Sequence, residues 1–400
     1  MPRIPRAASL GGYIHAVRES CKTARHAPPL AGLRATFPRL RTTHGYALPL
    51  AFPSPAAELN LLAALSLLNF GSGYRAPLHA AAARGAFDTV RALVFGMHIS
   101  EGAGGGYLSA RGMQAASAQD VAELMGVAGK LHVERAHESI PGLTVGELGG
   151  PVWELVSLVT AVLNETGAVL VEGGYPDLGA FVLEALKAGS KAKDPERACD
   201  VVLERLVRGI PAFRDMATAQ GHHIYCFKKA LLTIHSIARR FGGAGGHSSS
   251  SIPVPPGTDN LPIFVDNVIP SLLVHLGVID LSTSTPSLGL TGLFPGAGSP
   301  EKLETLLAEA AAPTDRPKEI PEEGPVLTTE QAYVLRAAAV DACERMVQVA
   351  KGLDTGGRED LGWMGEVTAP EVDAWLWAVA KDRADYRRLT RFVLRDTPYF

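Results

Sequence analysis

An acidic residue inside an apolar run is the first candidate for chemistry in this chain. Asp266 stands between Pro262 and Pro270 and is flanked by Phe264 and Asn267. A carboxylate is costly to bury without partners. It therefore either caps the helix that follows or is a charge kept for chemistry. The residues themselves leave these two interpretations equal.

Two adjacent lysines are the second candidate. Lys228 and Lys229 lie in the segment 225–241, where Phe227 and Phe241 belong to one apolar helical stripe. A helix turns Lys228 about 100° from Phe227, which places it at the edge of the buried face. Before any comparison, the favoured interpretation is a snorkelling side chain with its ammonium in water. Lys229, one step further round, is expected to be solvated.

The other charged candidates also have structural interpretations. Arg214 and Asp215 can form an ion pair of small net effect if exposed. Arg336 lies in an Ala-rich stretch, where a guanidinium usually has a carboxylate or phosphate partner. One further predicted helix carries both aromatic and charged side chains, namely Trp375, Trp377, Lys381 and Asp382. The simplest interpretation is that at least one of the two tryptophans packs in the core.

Metal and serine-nucleophile chemistry find no support in the sequence. The 12 histidines form no HExxH pattern and no ligand-like cluster with carboxylates. No GxSxG motif occurs, and the glycine-rich stretches 102–106 and 242–246 lack the residues of a phosphate-binding loop. The four cysteines are scattered, which favours a reducing compartment. We therefore expect neither a metal nor a cofactor.

The amino-acid composition limits the kinds of partner that this protein is expected to bind. With 46% hydrophobic and 20% charged residues and a net charge of −3, the chain is typical of a globular protein without a basic field for nucleic acid. No run of about 18 apolar residues is found, so no membrane span is expected. The basic segment 1–25 has helical spacing interrupted by Glu19. It is interpreted as a helix of the fold rather than a mitochondrial transit peptide, and the expected location is cytoplasmic.

Helical periodicity dominates and predicts a mainly α fold with at most a small β element near Val169 and His223. The predicted helix that begins at residue 153 should end near Thr166 and Gly167. Segment 76–94 mimics one ankyrin repeat, but without further copies it is interpreted as an ordinary helix pair. Three segments are predicted to be flexible insertions: 242–257, 282–299 and 310–324. The predicted helices are 56–70, 153–164, 178–188, 198–207, 225–241, 271–278, 329–353 and 372–382.

Five sequence blocks occur in an order and spacing that resemble the queuosine salvage protein family, in the form of its fungal branch. A weaker sixth block runs from Arg336 through Glu344 to Asp382, and the likeness extends from about residue 11 to residue 400. The five blocks are Leu68–Arg75, Leu163–Gly167, Phe213–Asp215, Phe227–Ala230 and Phe264–Pro270.

Members of this family are queuosine 5′-phosphate N-glycosylases, mainly helical and similar to helix-hairpin-helix DNA glycosylases. The resemblance implies one domain over 11–400, with the active site between two helical lobes. It also implies a small nucleotide substrate, hydrolysed to queuine and ribose 5-phosphate for salvage of queuine into tRNA. No cofactor, direct nucleic-acid partner or membrane is implied.

By the same resemblance, Lys228 and Asp266 take the places of a lysine and an aspartate paired in the cleft. Many members have Tyr-Arg after the aspartate, where this chain has Asn267 and Val268, which puts contacts beside the aspartate in doubt. A carboxylate near ribose C1′ would stabilise the oxocarbenium-like transition state, attack C1′ covalently or orient the water, and the sequence leaves these three roles open. Queuine lacks the N7 lone pair, so Lys228 either donates a proton elsewhere or sets the charge and position of Asp266.

The remaining expected contacts are with substrate. Phe264 would stack on the base, and Asn69, Asn267 or Asp215 would bond its edges, with Asp215 suited to the cationic arm of queuine. Arg336, Lys381 and Arg214 are candidates for the 5′-phosphate. The expected substrate-binding set is completed by Phe70, Trp377 and Asp382.

Two alternatives from other classes remain. A non-catalytic helical adaptor would bind protein partners through 76–94 and the Pro-rich loops. A glycosylase acting on nucleic acid is disfavoured by the mild acidity and the lack of basic runs, because tracking a phosphate backbone needs a positive groove.

Overall fold

A computed structural model describes residues 13–21, 50–100, 106–242, 251–308, 320–354, 357 and 359–400. Within these ranges the chain is built mainly of α-helices joined by turns and short 3₁₀ segments, which confirms the predicted mainly α class. The helices are α1 (Tyr13–Cys21), α2 (Pro55–Leu67), α3 (Arg75–Ala82), α4 (Ala86–Ile99), α5 (Ala110–Ala115), α6 (Ala118–Leu124), α7 (Gly150–Glu172), α8 (Leu178–Gly189), α9 (Ala198–Gly209), α10 (Lys228–Phe241), α11 (Val268–His275), α12 (Pro300–Leu307), α13 (Thr329–Gly352), α14 (Ala369–Asp382) and α15 (Ala384–Arg388).

The described strands form two antiparallel hairpins. One joins β1 (His132–Ala136) to β2 (Thr144–Leu148), and the other joins β3 (Met216–Ala219) to β4 (His222–Tyr225). The second hairpin confirms the β element expected near His223. The β element expected near Val169 is wrong, because that residue lies inside α7.

Helix α7 also corrects the predicted helix end at Thr166 and Gly167, since it continues through both to Glu172. By length and composition alone it could cross a membrane, although 44% of its most apolar window is buried inside the protein. Because Glu154, Asn164 and Glu165 interrupt the helix, it is not an unbroken apolar run, and the absence of a membrane span stays a prediction. Its buried side chains, such as Leu155 and Val159, belong to the hydrophobic core, and burial accounts for their apolar character.

Other predicted helices agree with the structure to within a few residues, except at two starts that matter for the site. Helix α10 begins at Lys228 rather than Tyr225, because Tyr225 ends β4 and Phe227 has a left-handed φ of 45°. Helix α11 begins at Val268 and carries Pro270 in its first turn, where a missing N–H costs no helical bond. Segment 76–94 forms the helix pair α3 and α4, as expected.

The core brings the starts of α10 and α11 together. Helices α2, α8, α9 and α10 pack on one another, and α11, α13 and α14 form a second group. One cluster of buried apolar side chains includes members of both groups, for example Leu59, Ile234, Leu272 and Leu335. The loop after α2, which contains Asn69, contacts the start of α10.

Two of the predicted insertions lie partly outside the described residues, in 243–250 and 309–319. The third, 282–299, is described throughout. Its Leu288, Leu290 and Phe294 side chains are buried, so the segment contributes to the packing of the molecule.

Candidate active site

Lys228 and Asp266 meet in the interior. Lys228 is the first residue of α10, and its Nζ lies 3.5 Å from Asp266 Oδ2, with side-chain exposures of only 4% and 6%. The same Nζ donates to the main-chain oxygen and to Oδ1 of Asn69, each at 2.9 Å. An ammonium has three hydrogens, and these three acceptors account for all of them. The snorkelling interpretation is therefore wrong.

Both oxygens of the Asp266 carboxylate have a partner in the structure. Its Oδ1 accepts a hydrogen bond at 2.6 Å from N of Val268, the first residue of α11, but Asp266 is not the cap, because the N-cap position is Asn267 and carries no side-chain cap bond. Its Oδ2 faces Lys228. Both carboxylate oxygens therefore have an N–H partner, and the plane of the group is fixed. A carboxylate held this way is oriented before any ligand arrives.

Burial dominates the electrostatics around the pair. It lowers the pKa of Lys228, and the charge of Asp266 opposes this shift. A further carboxylate, Asp373 on α14, is only 7% exposed and accepts a hydrogen bond from Phe264 N at 2.7 Å. Burial raises the pKa of Asp373 to about 7, although this hydrogen bond opposes the shift. Three ionisable groups thus share one desolvated region.

Lys229 is buried, which corrects the expectation that it is solvated. Its Nζ donates to Pro398 O at 2.6 Å and lies 4.8 Å from the centre of the Phe70 ring. Burial lowers the pKa of Lys229 to about 7. The chain end from Pro398 onward covers this side of α10, and sequence spacing did not reveal that cover.

A pocket opens outward from the pair and is lined by cationic side chains. Arg75, the first residue of α3, donates to the main-chain oxygen of Arg387 and to Leu389 O at 3.5 Å. Burial and the charges of Arg391 and Arg387 lower the pKa of Arg75 to about 9. Burial lowers the pKa of Arg391 to about 10, while the nearby charge of Asp266 opposes the shift. Positive charge is crowded here near the carboxylate of Asp266.

Three buried polar atoms on the pocket residues have no hydrogen-bond partner within the described part of the chain: Ser72 Oγ, Arg84 Nε and Arg391 Nε. Buried polar atoms in folded proteins are nearly always paired, so each unpaired one needs an explanation. Together with the crowded arginines, they are the donors that an anionic ligand would satisfy.

The outer wall of the pocket is aromatic. Phe87 on α4 and Trp377 on α14 meet edge to face with ring centres 5.4 Å apart. Lys381 Nζ lies 5.2 Å from the Phe87 ring centre and 3.4 Å from Asp88 Oδ1. The segment 76–94, to which the adaptor hypothesis assigned partner binding, thus supplies part of the pocket.

The structure brings together half of the residues selected from the sequence. Lys228 and Asp266 line the pocket with four of the expected substrate-binding residues: Asn69, Phe70, Trp377 and Lys381. The other six do not line it, and their assignment as substrate contacts stays a prediction: Phe264, Asn267, Asp215, Arg214, Arg336 and Asp382.

Each of these six has another environment. Asp215 and Arg336 form a fully buried ion pair of 2.6 Å, and Arg214 donates to main-chain oxygens in the last turn of α9. The other three are described by their surroundings: the ring of Phe264 is 5.0 Å from that of His235, Asn267 Nδ2 donates to Phe392 O at 2.7 Å, and Asp382 is exposed.

Sequence reasoning missed the arginines of the pocket. Arg75 ends the first of the five blocks and could have been selected there. Arg387 and Arg391 lie near the C-terminus, where Arg383, Arg387, Arg388, Arg391 and Arg395 form a basic cluster. This local charge was the available signal, and the small net charge of the whole chain concealed it.

No group of three or more potential metal ligands occurs among the residues that the structure describes. What the described geometry defines is a helical protein with a desolvated lysine–aspartate pair at the inner end of a cationic, partly aromatic pocket. That arrangement suits a small anionic ligand with a ring system.

Comparison with known proteins agrees with this class. Residues 153–288, which include both members of the pair, match the model of the family described as queuosine salvage protein. Over this stretch, about a third of its length, the chain is similar to that family.

Two similar proteins are each named queuosine 5′-phosphate N-glycosylase/hydrolase. The one from Sphaerobacter thermophilus is 27% identical over 144 residues, which is 36% of this chain and 39% of that protein. The one from Mus musculus is 26% identical over 121 residues, covering 30% and 31% respectively. The chain thus aligns with 39% and 31% of the lengths of these two relatives.

Proposed function

We propose that this protein hydrolyses the N-glycosidic bond of queuosine 5′-phosphate, releasing queuine and ribose 5-phosphate. The observation that carries the proposal is the buried contact between Lys228 and Asp266 at the inner end of an arginine-lined pocket. The names of the two relatives support the choice of reaction and substrate.

Asp266 is the catalytic carboxylate in this proposal. Cleavage of the bond between C1′ and the base nitrogen develops positive charge on the sugar. A fixed negative charge in a site that excludes water stabilises such a transition state far more than it would in bulk solvent. Asp266 is 4% exposed and held by Val268 N, so it needs little reorganisation when that charge develops.

Lys228 orients the carboxylate. Its three hydrogens point to two oxygens of Asn69 and to Asp266, which is the arrangement of a held ammonium. Because a 7-deazaguanine base has no N7 lone pair to protonate, stabilisation of the sugar charge must supply much of the rate enhancement. A positioned Asp266 supplies it.

The phosphate is assigned to Arg75, Arg387 and Arg391, with Ser72 as an additional donor. Charge-assisted hydrogen bonds from guanidinium groups are the usual means of binding phosphate. Arg391 is close enough to Asp266 for the two charges to interact, which suits a 5′-phosphate on the same ribose whose C1′ faces the carboxylate. These arginines replace Arg336 and Arg214 of the sequence-based assignment.

The cationic arm of queuine needs a carboxylate other than Asp215, because Arg336 already binds Asp215 bidentately. Asp88 lines the same pocket and has a partly exposed carboxylate. It is the acid we assign to the arm, and Phe87 and Trp377 are the aromatic surfaces nearest to it.

The test is release of queuine from queuosine 5′-phosphate, followed by chromatography, for the unchanged protein and for Asp266→Asn. Loss of the charge should lower kcat by about 100- to 1,000-fold, or about 2.7–4 kcal/mol. The amide keeps an oxygen for Val268 N but leaves buried Lys228 without its counter-charge, so the melting temperature should fall and kcat is measured at a temperature where the variant is folded.

Asp280→Asn is the matched control. Asp280 accepts from Ser282 N at 2.9 Å, the same two-residue spacing as Asp266 to Val268, and it does not line the pocket. Turnover of Asp266→Asn within tenfold of the unchanged protein would contradict the charge role. Absence of queuine release from the unchanged protein would reject the reaction itself.

A further inference from the structure

We propose that the buried Asp215–Arg336 ion pair is a clamp that holds Lys228 and Asp266 at their working separation. In this assignment, which rests on the proposed hydrolysis, Asp215 and Arg336 are positioning residues. Both are fully buried, and they join the chain segment before Lys228 to the chain segment before Asp266.

Asp215 controls the segment that carries Lys228. Its Oδ2 accepts a hydrogen bond from Lys228 N at 3.1 Å. Its main-chain oxygen accepts from Cys226 N at 3.0 Å and Phe227 N at 3.1 Å. Phe227 has a left-handed φ of 45°, which costs a non-glycine residue about 1–2 kcal/mol. The start of α10 therefore depends on Asp215 to hold an unfavourable backbone conformation.

Arg336 controls the segment that carries Asp266. From α13, its Nε and Nη2 donate to Val265 O at 3.1 and 2.9 Å, one residue before the carboxylate. The same guanidinium donates to both oxygens of Asp215 at 2.8 and 2.6 Å. One planar group thus fixes the main chain beside Asp266 relative to the main chain at Lys228.

The surroundings keep the clamp rigid. Tyr333 Oη donates to Asp215 Oδ1 at 2.7 Å. The guanidinium lies 4.7 Å from the Tyr333 ring centre and 4.2 Å from that of Phe400. A buried ion pair is a poor source of stability, because desolvation consumes most of its attraction. Its value here is geometric. Asp215 binds the backbone of Lys228, and Arg336 binds the backbone one residue before Asp266.

The test uses Asp215→Asn and the milder Tyr333→Phe. An amide has one accepting oxygen where the carboxylate has two, so Asn cannot accept from all four donors that now bind the Asp215 side chain: Tyr333 Oη, Arg336 Nη1, Arg336 Nη2 and Lys228 N. We expect kcat for queuosine 5′-phosphate to fall on the order of 10- to 100-fold with little change in KM, because displacement of reacting groups by about 1 Å has this effect. Tyr333→Phe should act in the same direction and more weakly.

Glu58→Gln is the matched control. It breaks the partly buried ion pair between Glu58 and Arg240, which lies in the last turn of the same helix α10 and does not line the pocket. This change should lower the melting temperature and leave kcat unaltered. A clamp variant that loses only stability, as the control does, would contradict the proposal.

A second readout does not depend on turnover. Acylation of Lys228, followed by mass spectrometry of its peptide, should be slow in the unchanged protein and at least several times faster in Asp215→Asn and Tyr333→Phe, both measured well below their melting temperatures. If the unchanged protein releases no queuine, the proposed function fails and this labelling still tests the clamp. Protection of Lys228 equal to the unchanged protein in the folded variants would overturn it. Should Asp215→Asn not fold, Tyr333→Phe decides.

Discussion

At the scale of residues, the site consists of charges that have been removed from water and given fixed partners. Lys228, Asp266 and Asp373 are each less than 8% exposed, and Asn69 completes the shell of the ammonium. Water would screen the electrostatic field of such groups. Because water is excluded, a single carboxylate acts on a nearby charge far more strongly than it would in bulk solvent. The chemical consequences of changing a single side chain are therefore large and specific.

Lys228→Met should lower kcat and the melting temperature together. The change leaves the Asp266 carboxylate buried without its counter-charge, and breaking a buried pair in this way typically costs about 3–5 kcal/mol of stability. Turnover should be measured at a temperature where the variant is folded. If only the melting temperature fell and kcat were retained, the lysine would be a structural element rather than the group that orients Asp266.

The raised pKa of Asp373 predicts that the stability of the protein depends on pH. Its pKa in the folded protein is about 7, raised by burial from an ordinary 3.8. The folded protein therefore holds a proton here that the unfolded chain has lost, and this contribution disappears as the pH rises from about 4 through about 7. Asp373→Asn cannot titrate, so its melting temperature relative to the unchanged protein should increase between pH 5 and pH 8.

The exposed residue Asp259 supplies the comparison for that measurement. Asp259→Asn should give a difference in melting temperature that stays flat over the same pH range, since this carboxylate is in contact with solvent. A flat difference for Asp373→Asn as well would show that the buried carboxyl does not retain its proton.

At the scale of elements, a close helix contact explains why α7 runs past its predicted end. A Cβ on Gly167 would meet the backbone of the neighbouring helix α5, lying 2.6 Å from Ala110 O and closer still to Gln114 N. The Gln114 and Ala110 backbones can approach because glycine has no side chain. The glycine that suggested a helix end from sequence is instead a contact surface.

Gly167→Ala should therefore destabilise the protein by about 1–3 kcal/mol, measured by urea unfolding, despite the better helix propensity of alanine. Gly352→Ala is the control, because Gly352 also lies in a helix and a Cβ there would meet nothing within 4 Å. That change should be neutral or stabilising by up to about 1 kcal/mol. Equal effects at the two positions would rule out the close-approach explanation.

At the scale of the whole molecule, the pocket is assembled from distant parts of the chain. Arg75 and Asp88 come from α3 and α4, Lys228 and Asp266 from the middle, and Arg391 from near the C-terminus. The matched family segment, residues 153–288, holds only the middle pair. The arginines that we propose for the phosphate thus lie outside the matched segment.

Arg391→Met should lower kcat/KM for queuosine 5′-phosphate by about 10- to 100-fold, the usual worth of a hydrogen bond to a charged group. It should leave the much slower reaction of queuosine, which lacks the phosphate, nearly unchanged. Arg205→Met, at an exposed ion pair with Glu184, should alter neither rate. Equal losses for both substrates in Arg391→Met would place the phosphate elsewhere.

The sequence by itself determined most of the helices, because their apolar spacing and caps are local properties. Ser54 and Thr328, for example, cap α2 and α13 with their own side chains. It also identified Lys228 and Asp266, since both stand in recognisable blocks. Sequence-based prediction failed at Gly167, because a glycine can either end a helix or allow a close helix contact. It also missed β1, because this exposed strand has no alternation of buried and exposed residues.

Only the tertiary structure decided which charges face the ligand. Asp215 and Arg336 have the residue types of substrate contacts, yet they bind each other. Arg387 and Arg391 belong to no motif, yet they line the pocket. Sequence records the charge a residue carries, but its role depends on whether folding leaves that charge paired or open to a ligand. That outcome is fixed by contacts between segments hundreds of residues apart.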